Sequence, residues 1–338
     1  MIRPLICYDG PMAAVNKRVP FVPDPSQMAL WPEISGNAIN GLGEKSKRRP
    51  SPVYWHEPDT IPHGPLQGWF AENYANSTEV VAARERRQAV IDQPLPGVAE
   101  ARRDETPARW SELVTQKAIE FGADDAGIAR MDPDWIFEGH EQASWDFAIA
   151  IAVSHDYEAL KTAPGDRAAA EVINQYGRGL KAVRALTGWI RGQGWAAEPQ
   201  GGPNAGSMIL IPAAMGAGLG ELGRHGSMIH RKFGSNFRLG VILTNLPLVA
   251  HEPDVFGADD FCTNCRVCTD ACPPEAIPET KQWVRGTEKW YVDFDRCLPF
   301  FNETKGCAIC IAVCPWSRPG VADGLVKKMA RRRAKRAA

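Results

Sequence analysis

The chain has 338 residues, 44% of them hydrophobic, with 39 Lys plus Arg against 40 Asp plus Glu. That size and apolar share suit one large domain or two modest ones, and the near-neutral charge excludes a global drive toward nucleic acid or an anionic membrane. No stretch of about 18 apolar residues occurs, so no transmembrane span is expected.

Residues 1–105 are rich in proline and turn residues and read as an irregular arm covering a core. Met1 to Pro25 has no charged-then-apolar leader pattern, and Arg48-Arg49 is followed by Pro50-Ser51-Pro52 rather than an apolar run, so a cytoplasmic location is expected. Cys7 stands alone and reads as an incidental thiol. One helix is expected in the arm, over 78–91. The arm's aromatics, among them Trp31, Tyr54, Trp55 and Phe70, either staple it to the core or wall a pocket.

Regular periodicity begins at about 106. Trp110, Leu113, Val114, Ala118 and Phe121 share one side of a helix that Gly122 ends. Residues 126–129 read as a short strand and the apolar run 147–153 as a buried central one. A long helix is expected over 168–190, a strand over 208–211 and another over 239–243. Residues 106–255 thus form a core of α/β (α+β) class. Within it, 214–224 holds Gly216, Gly218, Gly220 and Gly223 beside Leu219 and Arg224. So many small residues permit either tight helix packing or close approach of backbone to a large flat ligand. The spacing does not satisfy a dinucleotide fingerprint.

Eight of nine cysteines fall in 256–320. Cys262-x2-Cys265-x2-Cys268-x3-Cys272-Pro273 is followed by Cys297 and by Cys307-x2-Cys310-x3-Cys314-Pro315. The x2-x2-x3-Pro spacing is that of a ferredoxin-like module with two [4Fe–4S] clusters, in which the last cysteine of each run ligates the other cluster. One cluster would take Cys262, Cys265, Cys268 and Cys314, and the second Cys272, Cys297, Cys307 and Cys310. Zinc sites would need closed sets of four and leave this spacing unexplained. Residues 321–338 form a dense basic tail, either solvated or a docking patch for an acidic partner.

The segments 217–224, 233–238 and 244–248, the helix with Tyr176 running on to Trp195, and Cys314-Pro315-Trp316 together resemble the cobalamin-dependent reductive dehalogenases over about residues 110–320. The glycine and cysteine motifs also resemble those of a sister family, the epoxyqueuosine reductases. Those enzymes carry an acid a few residues beyond a Tyr, and no Asp or His lies between Tyr176 and Arg184. The resemblance implies a nitroreductase-like core holding cobalamin in base-off form, without an Asp-x-His-x-x-Gly motif to ligate cobalt. It implies two-electron removal of halide from an organohalide, such as a halogenated aromatic, with Tyr176 as proton donor. Arg238 is the expected neighbouring cation, Asn204 a further pocket residue, and the 216–224 residues the corrinoid contact. No residues remain for a fused flavin reductase, so a separate ferredoxin, flavodoxin or flavin reductase is the expected donor. Two other functions compete: a corrinoid reductase acting on a non-halogenated or nucleoside substrate, and an electron carrier whose core only scaffolds the clusters.

Overall fold

The computed structural model describes residues 20–141, 144–202 and 206–337. Asn204 and Cys7 lie outside them. At its centre is a four-stranded sheet in the order Asp125–Arg130, Phe147–Ser154, Phe237–Thr244, Ala197–Gly201, with every neighbouring pair antiparallel. The alternation of strands and helices along the chain suggested α/β crossovers. The antiparallel order makes the fold a mixed one of the α+β kind.

The apolar run of the central strand is not uniform. It alternates Ile149 and Ile151 with Ala148, Ala150 and Ala152, and successive side chains face opposite sides of a sheet. The isoleucine face packs on Val183, Leu186 and Ile190 of the long helix Asp166–Gly192, and on Trp110 and Val114 of the helix Pro107–Glu120. The alanine face is shallow and meets the short helix Leu210–Gly216. That approach is close enough that a Cβ on Gly127 would lie 2.0 Å from the Ala217 carbonyl.

Three features differ from the expectations or add to them. Residues 208–211 are not a strand: Met208 makes a single bridge to Ile136, and Leu210 opens the helix. Pro212 falls in its first turn, where a missing N–H costs nothing, and Ala213, Ala214 and Met215 favour the helical state. The strand Ala197–Gly201 was not anticipated because it holds Pro199. It sits at the sheet edge, where proline is tolerated.

The arm is the third. Besides Thr78–Ile91 it holds Pro25–Met28, Gly36–Ile39 and Pro65–Tyr74. Pro65 begins a helix rather than excluding one. The arm's aromatics close on the helix Phe294–Glu303 of the cysteine module: Tyr54 and Leu66 cluster with Leu298, Phe70 stacks on Phe301 at 5.8 Å, and the Tyr54 hydroxyl donates to Asn302 Oδ1 at 2.8 Å. The basic tail is a helix, Ala322–Ala337. It buries Met329 beside Phe256 and Trp316, and Arg336 donates to Asp260 at 3.0 Å. No described helix is long and apolar enough to cross a membrane.

Candidate redox site

The eight cysteines are drawn together by short turns. Cys262 lies in the helix Ala258–Asn264 and Cys268 in Val267–Ala271. Cys297 comes from Phe294–Glu303 and Cys310 from Ile309–Ala312. Cys307 and Ala308 adopt left-handed backbone, φ 47° and 67°, an uncommon conformation for residues with a Cβ, which turns this run back toward the first.

Burial pushes the thiols of Cys262, Cys268, Cys297, Cys307 and Cys314 up to about 12, and Cys310 well above the ordinary range. Neighbouring thiols add to the rise, and they fall into two groups. Cys262 feels Cys268 and Cys265, and Cys314 feels Cys262 and Cys265. Cys297 feels Cys307 and Cys272, and Cys310 feels Cys307, Cys297 and Cys272, with Cys268 the one neighbour from the other group. Thiols held this far from ionisation become ligands only when a metal displaces their protons. Among the described residues no three His, Cys, Asp or Glu converge on a single-ion centre. A cubane offers each thiolate its own iron, so its ligands need not meet at a point.

The glycine segment serves this module. Gly218 and Gly220 have φ of 79° and 139°, and a Cβ on either would meet the carbonyl of Glu252 or Ile229 at 2.7 or 2.1 Å. Gly216 lies against Ala129, Gly223 against the His225 ring, and Leu219 is in the core. Glu221 Oε2 accepts the backbone N–H of Phe256, Gly257 and Ala258 at 2.9, 2.7 and 2.8 Å. Buried Arg224 donates to the carbonyl of Cys262 through Nε and Nη2, at 3.0 and 2.7 Å, while its own N–H points at Cys262 Sγ, 3.5 Å away. The roles of Glu221 and Arg224 as clamps on the cysteine loop were missed. An acid and a base flanking Leu222-Gly223 were the available signal.

Two cavities adjoin the module. One of about 840 Å³ is bordered by Cys272, Cys297, Cys307 and Cys310. A second, of about 530 Å³, is bordered by Tyr176 and Arg238. They share Pro50, Ile209, Leu210, Ile211, Arg285 and Cys297 as lining residues, and so lie side by side. The six residues of 216–224 named above border neither cavity; the segment meets them at Met215, Leu222, His225 and Gly226. The close approaches of Gly218 and Gly220 are to the carbonyls of Glu252 and Ile229.

Tyr176 on the long helix and Arg238 on the strand Phe237–Thr244 are brought together, the guanidinium carbon 5.1 Å from the centre of the phenol ring. Arg238 Nε is buried without a hydrogen-bond partner among the described residues. Gly202 sits beneath the ring, where a Cβ would be 2.8 Å from Tyr176 Cε1. The His225 ring is buried, its Nε2 2.7 Å from Ser235 Oγ. Its pKa is pushed down to about 4 by that burial.

Residues 261–317 match the family described as 4Fe-4S dicluster domain. The chain is 34% identical over 211 residues to the tetrachloroethene reductive dehalogenase of Desulfitobacterium hafniense, covering 58% of this chain and 37% of that protein. To the enzyme of the same name from Sulfurospirillum multivorans it is 32% identical over 261 residues, covering 64% and 52%. To the epoxyqueuosine reductase of Synechococcus sp. (strain CC9605) it is 28% identical over 265 residues, covering 62% and 76%. The solved catabolic reductive dehalogenase NpRdhA superposes with a TM-score of 0.72 at 22% identity, covering 90% of this chain and 49% of that one. The chain thus spans about half or less of the reductive dehalogenases it matches. The chain is similar in sequence to the reductive dehalogenases and, at lower identity, to the epoxyqueuosine reductases.

Proposed function

We propose that the chain is an oxidoreductase that replaces a carbon–halogen bond by carbon–hydrogen, using a corrinoid fed by two [4Fe–4S] clusters. In this reading residues 1–105 are the covering arm and 106–255 a nitroreductase-like corrinoid-binding core. Residues 256–320 are the cluster module and 321–338 the basic tail. One observation carries it: the cavity bordered by a phenol and a guanidinium, Tyr176 and Arg238, is lined also by Cys297 and lies beside the one that four of the cysteines border.

The cysteine-bordered cavity suits the cofactor. Its Leu210, Ile211 and Met215 side is apolar, as a macrocycle face requires, while Arg48, Arg285 and Lys289 offer cations for a phosphate-bearing tail. Burial, and then Arg285, lowers Lys289 to about 8, which marks a cation that gains from an anionic neighbour. When bound, the corrinoid supplies a low-potential metal centre able to break the carbon–halogen bond.

The chain's own residues do the rest. Two electrons and one proton convert the organohalide to C–H and halide. Tyr176 holds the proton on its hydroxyl at the cavity wall and passes it to carbon. The Arg238 guanidinium, beside the ring, stabilises the oxygen left behind. Apolar walls from Met208 to Ile211 and from Val53 to Trp55 exclude water. Cysteines grouped as Cys262, Cys265, Cys268, Cys314 and as Cys272, Cys297, Cys307, Cys310 hold the clusters, and a separate small redox protein or flavin reductase supplies electrons.

The test is anaerobic reconstitution with iron, sulfide and cobalamin, followed by halide release from a bromophenol with a low-potential dye. Tyr176→Phe should slow turnover by a factor of about 10² to 10⁴ while cobalamin affinity stays unchanged. Undiminished halide release from that variant would remove Tyr176 from the mechanism. Tight cobalamin binding without any halide release would point to a non-halogenated substrate.

A further inference from the structure

The arm meets the core along a short polar seam beside the Tyr176 cavity. The Glu138 N–H donates to the Pro50 carbonyl at 2.8 Å. Arg49 donates to the carbonyls of Ile136 and His140 at 3.0 and 2.8 Å, and Ser51 Oγ donates to Glu138 Oε2 at 2.6 Å. Each of these contacts sets a donor against an acceptor. One contact of the seam differs: His56 Nε2 and His140 Nε2, two like atoms, face each other at 3.0 Å.

The tautomer of His56 follows from its neighbours. Thr60, in the turn Pro58–Thr60, donates its hydroxyl to the Glu57 carbonyl at 2.8 Å. With that hydrogen committed, Thr60 Oγ1 accepts from His56 Nδ1, 3.0 Å away. A neutral imidazole with its proton on Nδ1 presents a bare lone pair at Nε2. An oxygen partner on the far ring nitrogen is also what orients a metal-ligating histidine and fixes its tautomer.

The spacing suits an ion. Imidazole–metal bonds are about 2.0–2.1 Å long, so two at a right angle put their nitrogens about 2.9 Å apart, and two at the tetrahedral angle about 3.4 Å. The 3.0 Å found here is close to the right-angled value, which belongs to the square-planar or octahedral sites of ions such as Ni²⁺ and Cu²⁺. Both histidines are half-buried, so solvent reaches them. Among the described residues no third His, Cys, Asp or Glu joins the pair, which leaves the remaining positions to water and makes the ion exchangeable.

We propose that His56 and His140 form a binding site for a divalent transition-metal ion of the nickel or copper type, which uses none of the cysteines and pins the arm to the core. The ion takes the place of the proton between the two rings, and His140 then carries its own proton on Nδ1. The pinned segments are walls of the Tyr176 cavity: Trp55, next to His56, and Phe137, whose carbonyl accepts the His140 N–H at 3.2 Å, both border it.

The test is calorimetric titration of Ni²⁺ into the full chain loaded anaerobically with iron, sulfide and cobalamin, so that the cysteines are occupied. About one Ni²⁺ per chain should bind at the pair. His56→Gln and His140→Gln should each weaken that binding about tenfold or more, at least the loss that an outer-shell change brings. The double variant should be little weaker than either single one, because both rings hold the same ion. Thr60→Val keeps both rings, removes only the oxygen on His56 Nδ1, and should cost about tenfold; with the second histidine variant it carries the test should one variant not fold. His251→Gln, at an exposed histidine outside the seam, should leave the isotherm unchanged. Ni²⁺ should also raise the urea midpoint of the parent and not that of His56→Gln. Absence of Ni²⁺ binding overturns the proposal. So does an isotherm unchanged in either histidine variant, or losses that add in full, which would mean two separate ions.

Discussion

Replacing Glu221 by alanine removes one carboxylate that accepts three backbone N–H groups at the start of the cysteine loop, from Phe256, Gly257 and Ala258, and a fourth weaker one from Asp259 at 3.4 Å. The residues around it are buried, so water does not readily take the carboxylate's place. An unsatisfied buried donor costs about 1–3 kcal/mol, and three of them amount to roughly 3–9 kcal/mol. That is comparable to the whole stability of many domains, about 5–15 kcal/mol. Glu221→Gln is the graded version, because the amide oxygen can keep the strongest contacts while the charge is lost. Charge-assisted bonds are about twice as strong as neutral ones, so a loss of about 1 kcal/mol per bond, near 3 kcal/mol in all, is expected. Urea unfolding of the reconstituted protein, followed by tryptophan fluorescence, gives the stability. Iron analysis after gel filtration gives the cluster content. The alanine variant should fail to retain iron under conditions where the glutamine variant keeps most of it. An alanine variant within about 1 kcal/mol of the parent and fully loaded would refute the assignment of Glu221 as the clamp.

Two further outcomes follow. His155 is buried beside Glu171 and its pKa is held down to about 4, by burial first. A histidine that stays neutral in the fold but titrates near 6.5 when unfolded contributes stability that is complete above 6.5 and lost as pH falls toward 4. The contribution is about 3 kcal/mol, and His155→Phe should flatten the pH dependence of urea midpoints across that window. On the tail helix, Lys327, Lys328, Arg331 and Lys335 are exposed, whereas Met329 is buried and Arg332 and Arg336 pair with Asp260. Changing the four exposed cations to glutamine, rather than deleting the helix, should raise the apparent KM for an acidic protein donor and weaken its salt dependence, with dye-driven turnover unchanged.

The cysteine spacing could be read directly because ligand geometry is local: each short turn sets where the next thiol falls. The same holds for the helix Thr78–Ile91, whose ends are written in Ser77 as cap and the turn at Asp92. The central strand was also visible, but its two faces, isoleucine and alanine, were read as one apolar run, and the partner of the shallow face was therefore misread as a strand. What was not legible is long-range. Tyr176 and Arg238 meet only because the long helix lies across the antiparallel pair of Phe147–Ser154 and Phe237–Thr244. The arm segment Pro50 to Trp55 walls the cavity because aromatics farther along it anchor on Phe294–Glu303. His56 and His140 pair across arm and core, which no periodicity links.

The central claim is that a corrinoid occupies the cavities beside Tyr176 and the cysteines. The most direct measurement is titration of anaerobically reconstituted protein with cobalamin, with cobalt and iron determined after removal of unbound cofactor. The account predicts about one cobalt per chain beside about eight irons, as two cubanes require, and a visible spectrum showing the bound corrinoid in base-off form. Full iron content with no retained cobalt would contradict it.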